Sequence, residues 1–244
     1  MSLPTLKAAG LSDIISGGTP PLPIYYQMNG APKEIVELVA LSNKRFGTDM
    51  ETIACRLTGC SKVPDVQGST GWDCEHITKN YAEIKASRLW QEKKGKGNWK
   101  WQHVLADHEW SHLILVAVDF TEIKLFLLTK KKFMNLMSRG IVTQQGGAGG
   151  QGCWFDYKKT KDYLIPIKGD TIEEFHQNMT RLFEENPCAR DAVSTEEITN
   201  ALAAGTRVKV EKAKEKAKKK AEKEIQKVLE GIIKKVVKKA KNKK

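Results

Sequence analysis

Between residues 71 and 87 the chain reads GWDCEHITKNYAEIKAS, and its chemistry lies in Asp73, Glu75, Glu83 and Lys85. Runs 72–77 and 81–87 flank Thr78-Lys79-Asn80, so a hairpin turning at Lys79 is expected. Side chains alternate across a strand. Glu83, Lys85 and Ser87 therefore share one face, and Ala82, Ile84 and Ala86 take the other. Pairing about Lys79 sets Asp73 opposite Lys85 and Glu75 opposite Glu83. One face then gathers three carboxylates and one ammonium. Crowded carboxylates are costly unless a cation compensates them. Oxygens meeting at one point suit a hard divalent ion, Mg²⁺ for preference. A lysine beside them can hold and help deprotonate a water. Phosphodiester hydrolysis asks for this combination. The same residues would also serve as a salt-bridged, solvent-facing hairpin.

A second pattern competes. HEWSH, residues 108–112, matches H-E-x-x-H, which in zinc proteases places two histidines one helical turn apart with a glutamate as general base. Here His112 runs straight into LILVAVDF, a β-type sequence with no helical stripe, and no obvious third ligand follows soon after. A zinc protease needs a continuous helix through His108 and His112. Otherwise HVLADHEWSH leads into a core strand, with Trp110 packed. His103 upstream leaves H-x4-H-x3-H open as a metal set.

The elements around these residues read as mixed α/β. Residues 1–30, rich in Gly and Pro, are expected as an irregular arm. A helix opens at Pro32 with Ile35, Leu38, Val39 and Phe46 on one face and stops at Gly47. A second short helix covers 49–57. Strands are expected at 113–120, buried on both faces, and at 122–129. A helix near 130–138, a loop at 144–152, a short strand in YLIPI and a helix from Thr171 to Glu185 follow. Glu174 is placed there for a capping box. The organisation is then an arm (1–30), a core (31–190), a linker (191–206) and a basic C-terminal helix (207–244).

Asp-x9-Glu-x-Lys on a hairpin, after a glutamate-bearing helix and before a buried strand, resembles the PD-(D/E)xK nuclease superfamily, whose best-known members are type II restriction endonucleases. The resemblance covers roughly residues 33–130. It implies a restriction-endonuclease-like core, a central mixed β-sheet flanked by helices. It implies that Asp73 is the first acid, although Trp72-Asp73 stands where the motif has Pro-Asp, and that Glu83 and Lys85 are the E-x-K. Asp73, Glu83 and the Ile84 carbonyl would bind Mg²⁺, and Lys85 would position the attacking water. Glu37 would be the supplementary helix glutamate, with Glu34 as its alternative. Glu75 is an alternate ligand and Gln102 a further site residue. The expected activity is Mg²⁺-dependent cleavage of double-stranded DNA, as a sequence-specific homodimeric restriction enzyme or as a structure-specific or repair nuclease.

Composition bears on the partner. Of 41 Lys and Arg, 17 lie in 207–244, with 5 of the 29 Asp and Glu. The tail therefore carries the whole net charge of +12, and the body is neutral. An extended anion suits such a tail. Its apolar stripe (Ile225, Val228, Leu229, Ile232, Ile233, Val236, Val237) equally suits packing on the body or on a second tail. In EKKGKGNWKW, Lys93, Lys94, Lys96 and Lys100 are candidate phosphate contacts. In the glycine-rich loop, Gln144, Gln145 and Gln151 are candidate base readers. Five cysteines without C-x-x-C spacing, no apolar run long enough to cross a bilayer and no signal-peptide pattern point to an intracellular protein.

Overall fold

The computed structural model describes residues 20–63, 71–92, 97–145, 151–188 and 193–241, with side chains as far as 231. Three helices come first: α1 (Leu22–Met28), α2 (Lys33–Ala40) and α3 (Asn43–Thr58). Short strands β1 (Ser61–Lys62) and β2 (Cys74–Glu75) lead to β3 (Tyr81–Arg88). Then come β4 (Lys100–Val104), β5 (His112–Val118), β6 (Ile123–Thr129), α4 (Lys130–Ser138), β7 (Thr143–Gln144), β8 (Cys153–Asp156), α5 (Tyr157–Thr160), β9 (Ile165–Ile167), α6 (Ile172–Glu185) and α7 (Thr195–Lys241).

The main sheet has the order β1-β2-β3-β5-β6-β9. Only β3 and β5 run parallel within it, so the sheet is mixed, as expected from the sequence. Every residue of β5 is buried, which accounts for its unbroken apolar run. A second antiparallel sheet, β4-β8-β7, packs on the first. Indole N–H groups of Trp101 and Trp99 donate to the Val116 and Val118 carbonyls of β5 across that contact. Helix α3 lies against β3, with α6 beside it.

Three expectations need correction. The arm is not irregular throughout: Leu22–Met28 is helical, with proline in its first turn. Tyr26 is fully buried; its hydroxyl donates to Val118 O and accepts from Leu89 N–H. The helix break falls at Leu41, not Gly47. Ser42 caps α3 by accepting the Arg45 N–H, and α3 runs through Gly47 to stop at Gly59, whose φ of +70° suits glycine. The buried row Phe46, Met50 and Ala54 outweighs a glycine penalty of about 1 kcal/mol.

The linker assignment also shifts. Helix α7 starts at Thr195, where Ser194 and Glu197 bond reciprocally in a capping box. Its first turns pack on α4 through two glycines. A Cβ on Gly140 would meet the Gly205 carbonyl at 2.6 Å, and one on Gly205 would meet Met137 O at 2.3 Å. From Lys209 to Gly231 every side chain is exposed.

Candidate functional site: a carboxylate–lysine cluster at the head of a cleft

The hairpin forms, but with a different register. Cys74 pairs with Ala82 and Glu75 with Tyr81, so Asp73 falls opposite Glu83 rather than Lys85. The turn at 76–80 is longer than foreseen because His76 N–H bonds the Asn80 carbonyl and Lys79 takes a φ of +62°. The slip is of two residues, so each side chain keeps its face. The Asp73 backbone is tied to Ala82 O, and its carboxylate accepts the Ile84 N–H at 2.7 Å. In an extended strand the carbonyl of a residue points the same way as its N–H. The Ile84 carbonyl therefore lies on the same edge of β3 as the N–H that Asp73 holds.

Asp73, Glu83 and Lys85 act on one another. Glu83 is 6% exposed, and the Lys85 ammonium lies 2.5 Å from its Oε1. Burial, followed by the Glu83 charge, pushes the Asp73 carboxyl up to about 7, against the opposing pull of Lys85 and the Ile84 amide. Burial raises the Glu83 carboxyl too, against the counteracting lysine. Burial alone would lower the Lys85 pKa, but the Glu83 and Asp73 charges overcome it and hold the ammonium protonated. One cation serves a buried carboxylate, Glu83, and a half-buried one, Asp73, so the cluster is short of positive charge.

Glu37 does not reach the cluster: it stands exposed on α2 and pairs with Lys33 at 3.5 Å. The helix carboxylate that acts on the cluster is Glu51 of α3. Its charge acts on Asp73, Glu83 and Lys85 alike, and its other partner is Lys62 at 3.0 Å. Glu75 also lies apart, held by Lys79 at 3.1 Å. Beyond the cluster opens a cleft of about 650 Å³ between α3, β3 and β4, lined by Glu51, Lys85, Arg88, Lys100 and Gln102 among others. Gln102 and Lys100 thus come to the site; Glu37, Glu34 and Glu75 do not.

Lys93, Lys94 and Lys96 lie outside the described residues. Gln144 pairs with Cys153 in β7–β8. The Gln145 N–H bonds the Gly152 carbonyl, and the Gln151 carbonyl meets His103 Nδ1 at 3.0 Å. These glutamines form the root of a hairpin and do not line the cleft.

HEWSH is not helical: His108 sits in a turn and His112 opens β5. The His112 ring is fully buried. Nδ1 lies 2.8 Å from Ser111 Oγ and Nε2 lies 2.9 Å from the Asn186 carbonyl, so both ring nitrogens are engaged. Burial brings its pKa down to about 4.

A divalent ion fits the cluster by its chemistry. Asp73 and Glu83 share the one ammonium of Lys85. Among the described residues no three His, Cys, Asp or Glu side chains converge on one point. The protein would therefore supply at most two carboxylates and a backbone carbonyl, which suits Mg²⁺, an ion that keeps several waters. No protein-family model matches the chain, and the search of curated proteins finds no relative.

Proposed function

We propose that this chain is a Mg²⁺-dependent DNA endonuclease of the type II restriction kind, acting as a homodimer. One observation carries the reading: the charges of Asp73, Glu83 and Lys85, from two adjoining strands, act on one another where Lys85 opens on a cleft, with one ammonium for a buried and a half-buried carboxylate. Asp73, Glu83 and the Ile84 carbonyl would hold the ion. When bound, Mg²⁺ supplies positive charge against the phosphate oxygens. Lys85, fixed by Glu83, donates a hydrogen bond to the attacking water and orients its lone pair toward phosphorus. Glu51, whose charge reaches the cluster from α3, can accept a proton of that water. Lys100 and Gln102 approach the strand from β4.

Digestion of plasmid DNA with Mg²⁺, repeated with EDTA, tests the reading. The expected result is cutting only with the ion, with discrete bands if the enzyme is sequence-specific and a smear if it is a structure-specific or repair nuclease. Lys85→Ala should abolish cutting while DNA binding persists; full activity in that variant overturns the assignment.

A further inference from the structure

The cleft continues past the carboxylates. Arg88, three residues along β3 from Lys85, lines its wall and is only 5% exposed. Its terminal nitrogens donate to Asn43 Oδ1 at 3.0 Å and to the Leu41 carbonyl at 2.6 Å. Its guanidinium lies 3.8 Å from the centroid of the Phe46 ring. A guanidinium has five N–H donors and keeps its charge in proteins. Here the Nε–H is buried without an acceptor. Among the described residues no carboxylate lies close enough to pair with it. A buried cation without a counter-ion is costly, and an aromatic face offsets only part of that. Lys100 lines the same stretch, and Trp90, 43% exposed, stands beside it.

We propose that this end of the cleft is a phosphate subsite: Arg88 and Lys100 take a phosphodiester group of a nucleic acid strand, and Trp90 receives the attached base. The substrate class rests on the nuclease reading, but the location rests on the spare donors of Arg88. The planar fork of a guanidinium matches two phosphate oxygens, and an exposed indole offers a stacking face to any base. Asn43 is exposed at the lip of the cleft. Turning its amide aside frees the guanidinium proton it now accepts. Lys85 and Arg88 both line the cleft, so a strand held at Arg88 can run on toward Lys85.

The test is proton–nitrogen NMR of the full chain in EDTA, where no cutting occurs, following the Arg88 Nε–Hε signal. The probes are inorganic phosphate and a short single-stranded oligonucleotide. The oligonucleotide should shift that signal saturably, and Lys100→Gln or Trp90→Ala should weaken its binding roughly fivefold or more. Both substitutions lie at accessible positions, so the test does not depend on an Arg88 variant folding. An Arg88 signal unmoved at saturating oligonucleotide overturns the proposal. A shift with inorganic phosphate alone also overturns it, leaving a small-anion pocket. Failure of plasmid cutting alongside a shifted Arg88 signal removes the nuclease reading and keeps the subsite; normal cutting with an unmoved signal does the reverse.

Discussion

The Asp73 carboxylate accepts the Ile84 amide at 2.7 Å, standing in for the strand residue that the two-residue β2 does not provide. That bond anchors one oxygen of the acid against β3. An asparagine can make the same bond through its amide oxygen. It cannot reproduce the charge.

Asp73→Asn should therefore fold and lose Mg²⁺-dependent cutting. Its stability should separate from the parent with pH. The Asp73 carboxyl titrates near 7 in the folded chain and near 3.8 in an unfolded one, so ionising it in place costs stability as pH rises through that window. At pH 8 without divalent ions the variant should melt a few degrees higher than the parent, and near pH 4 the two should coincide. Thermal scans at both pH values check this. Added Mg²⁺ should raise the parent's Tm and leave the variant's unchanged.

Glu51 and Glu37 offer a matched pair. Glu51→Gln should lower the cutting rate by at least ~10-fold, because its charge reaches all three members of the cluster. Glu37→Gln should leave the rate alone, since that carboxylate is exposed and held by Lys33. Equal rates for the two variants would remove Glu51 from the site.

The contrast shows what the sequence made legible. Alternation along AEIKAS placed Glu83 and Lys85 on one face, and the two-residue slip preserved it. Strand β5 was legible from its unbroken apolar run. Glu51 was not, because Gly47 read as a stop while Ser42 supplied the actual cap. Its signal was the i, i+4 row Gly47–Glu51 on the side of α3 that faces the cleft. Arg88 was missed because its role depends on Leu41 and Asn43, more than forty residues away in the chain. The start of α7 was legible in Ser194-x-x-Glu197 but hidden by the charge boundary at 207.

His112 should make the fold acid-sensitive. The buried ring titrates near 4, against 6.5 for an ordinary histidine, so the unfolded chain takes up the proton first. Its contribution is complete above about pH 6.5 and is lost as pH falls through 4, at most about 3 kcal/mol. Urea unfolding at pH 7 and pH 4.5 should show a smaller drop for His112→Gln than for the parent. An equal drop would place the acid sensitivity elsewhere.

Deleting residues 210–244 should leave the unfolding midpoint unchanged, because the part of α7 that packs on α4 is retained. DNA affinity should fall, and its dependence on salt should flatten by about 0.9 per lost phosphate contact in the log–log slope. Binding titrations over a salt series give both. An unaltered slope would free the helix from any role on DNA.

The close seating of Gly140 against Gly205 has a consequence for the electrical shape of the molecule. The helix is anchored at its base, its side chains are exposed from 209 to 231, and the turns from 209 to 241 extend roughly 50 Å. Ions in physiological solution blur a field over about 8 Å. The far end of the helix therefore behaves as a separate pole, beyond the reach of the charges around Asp73 and Glu83.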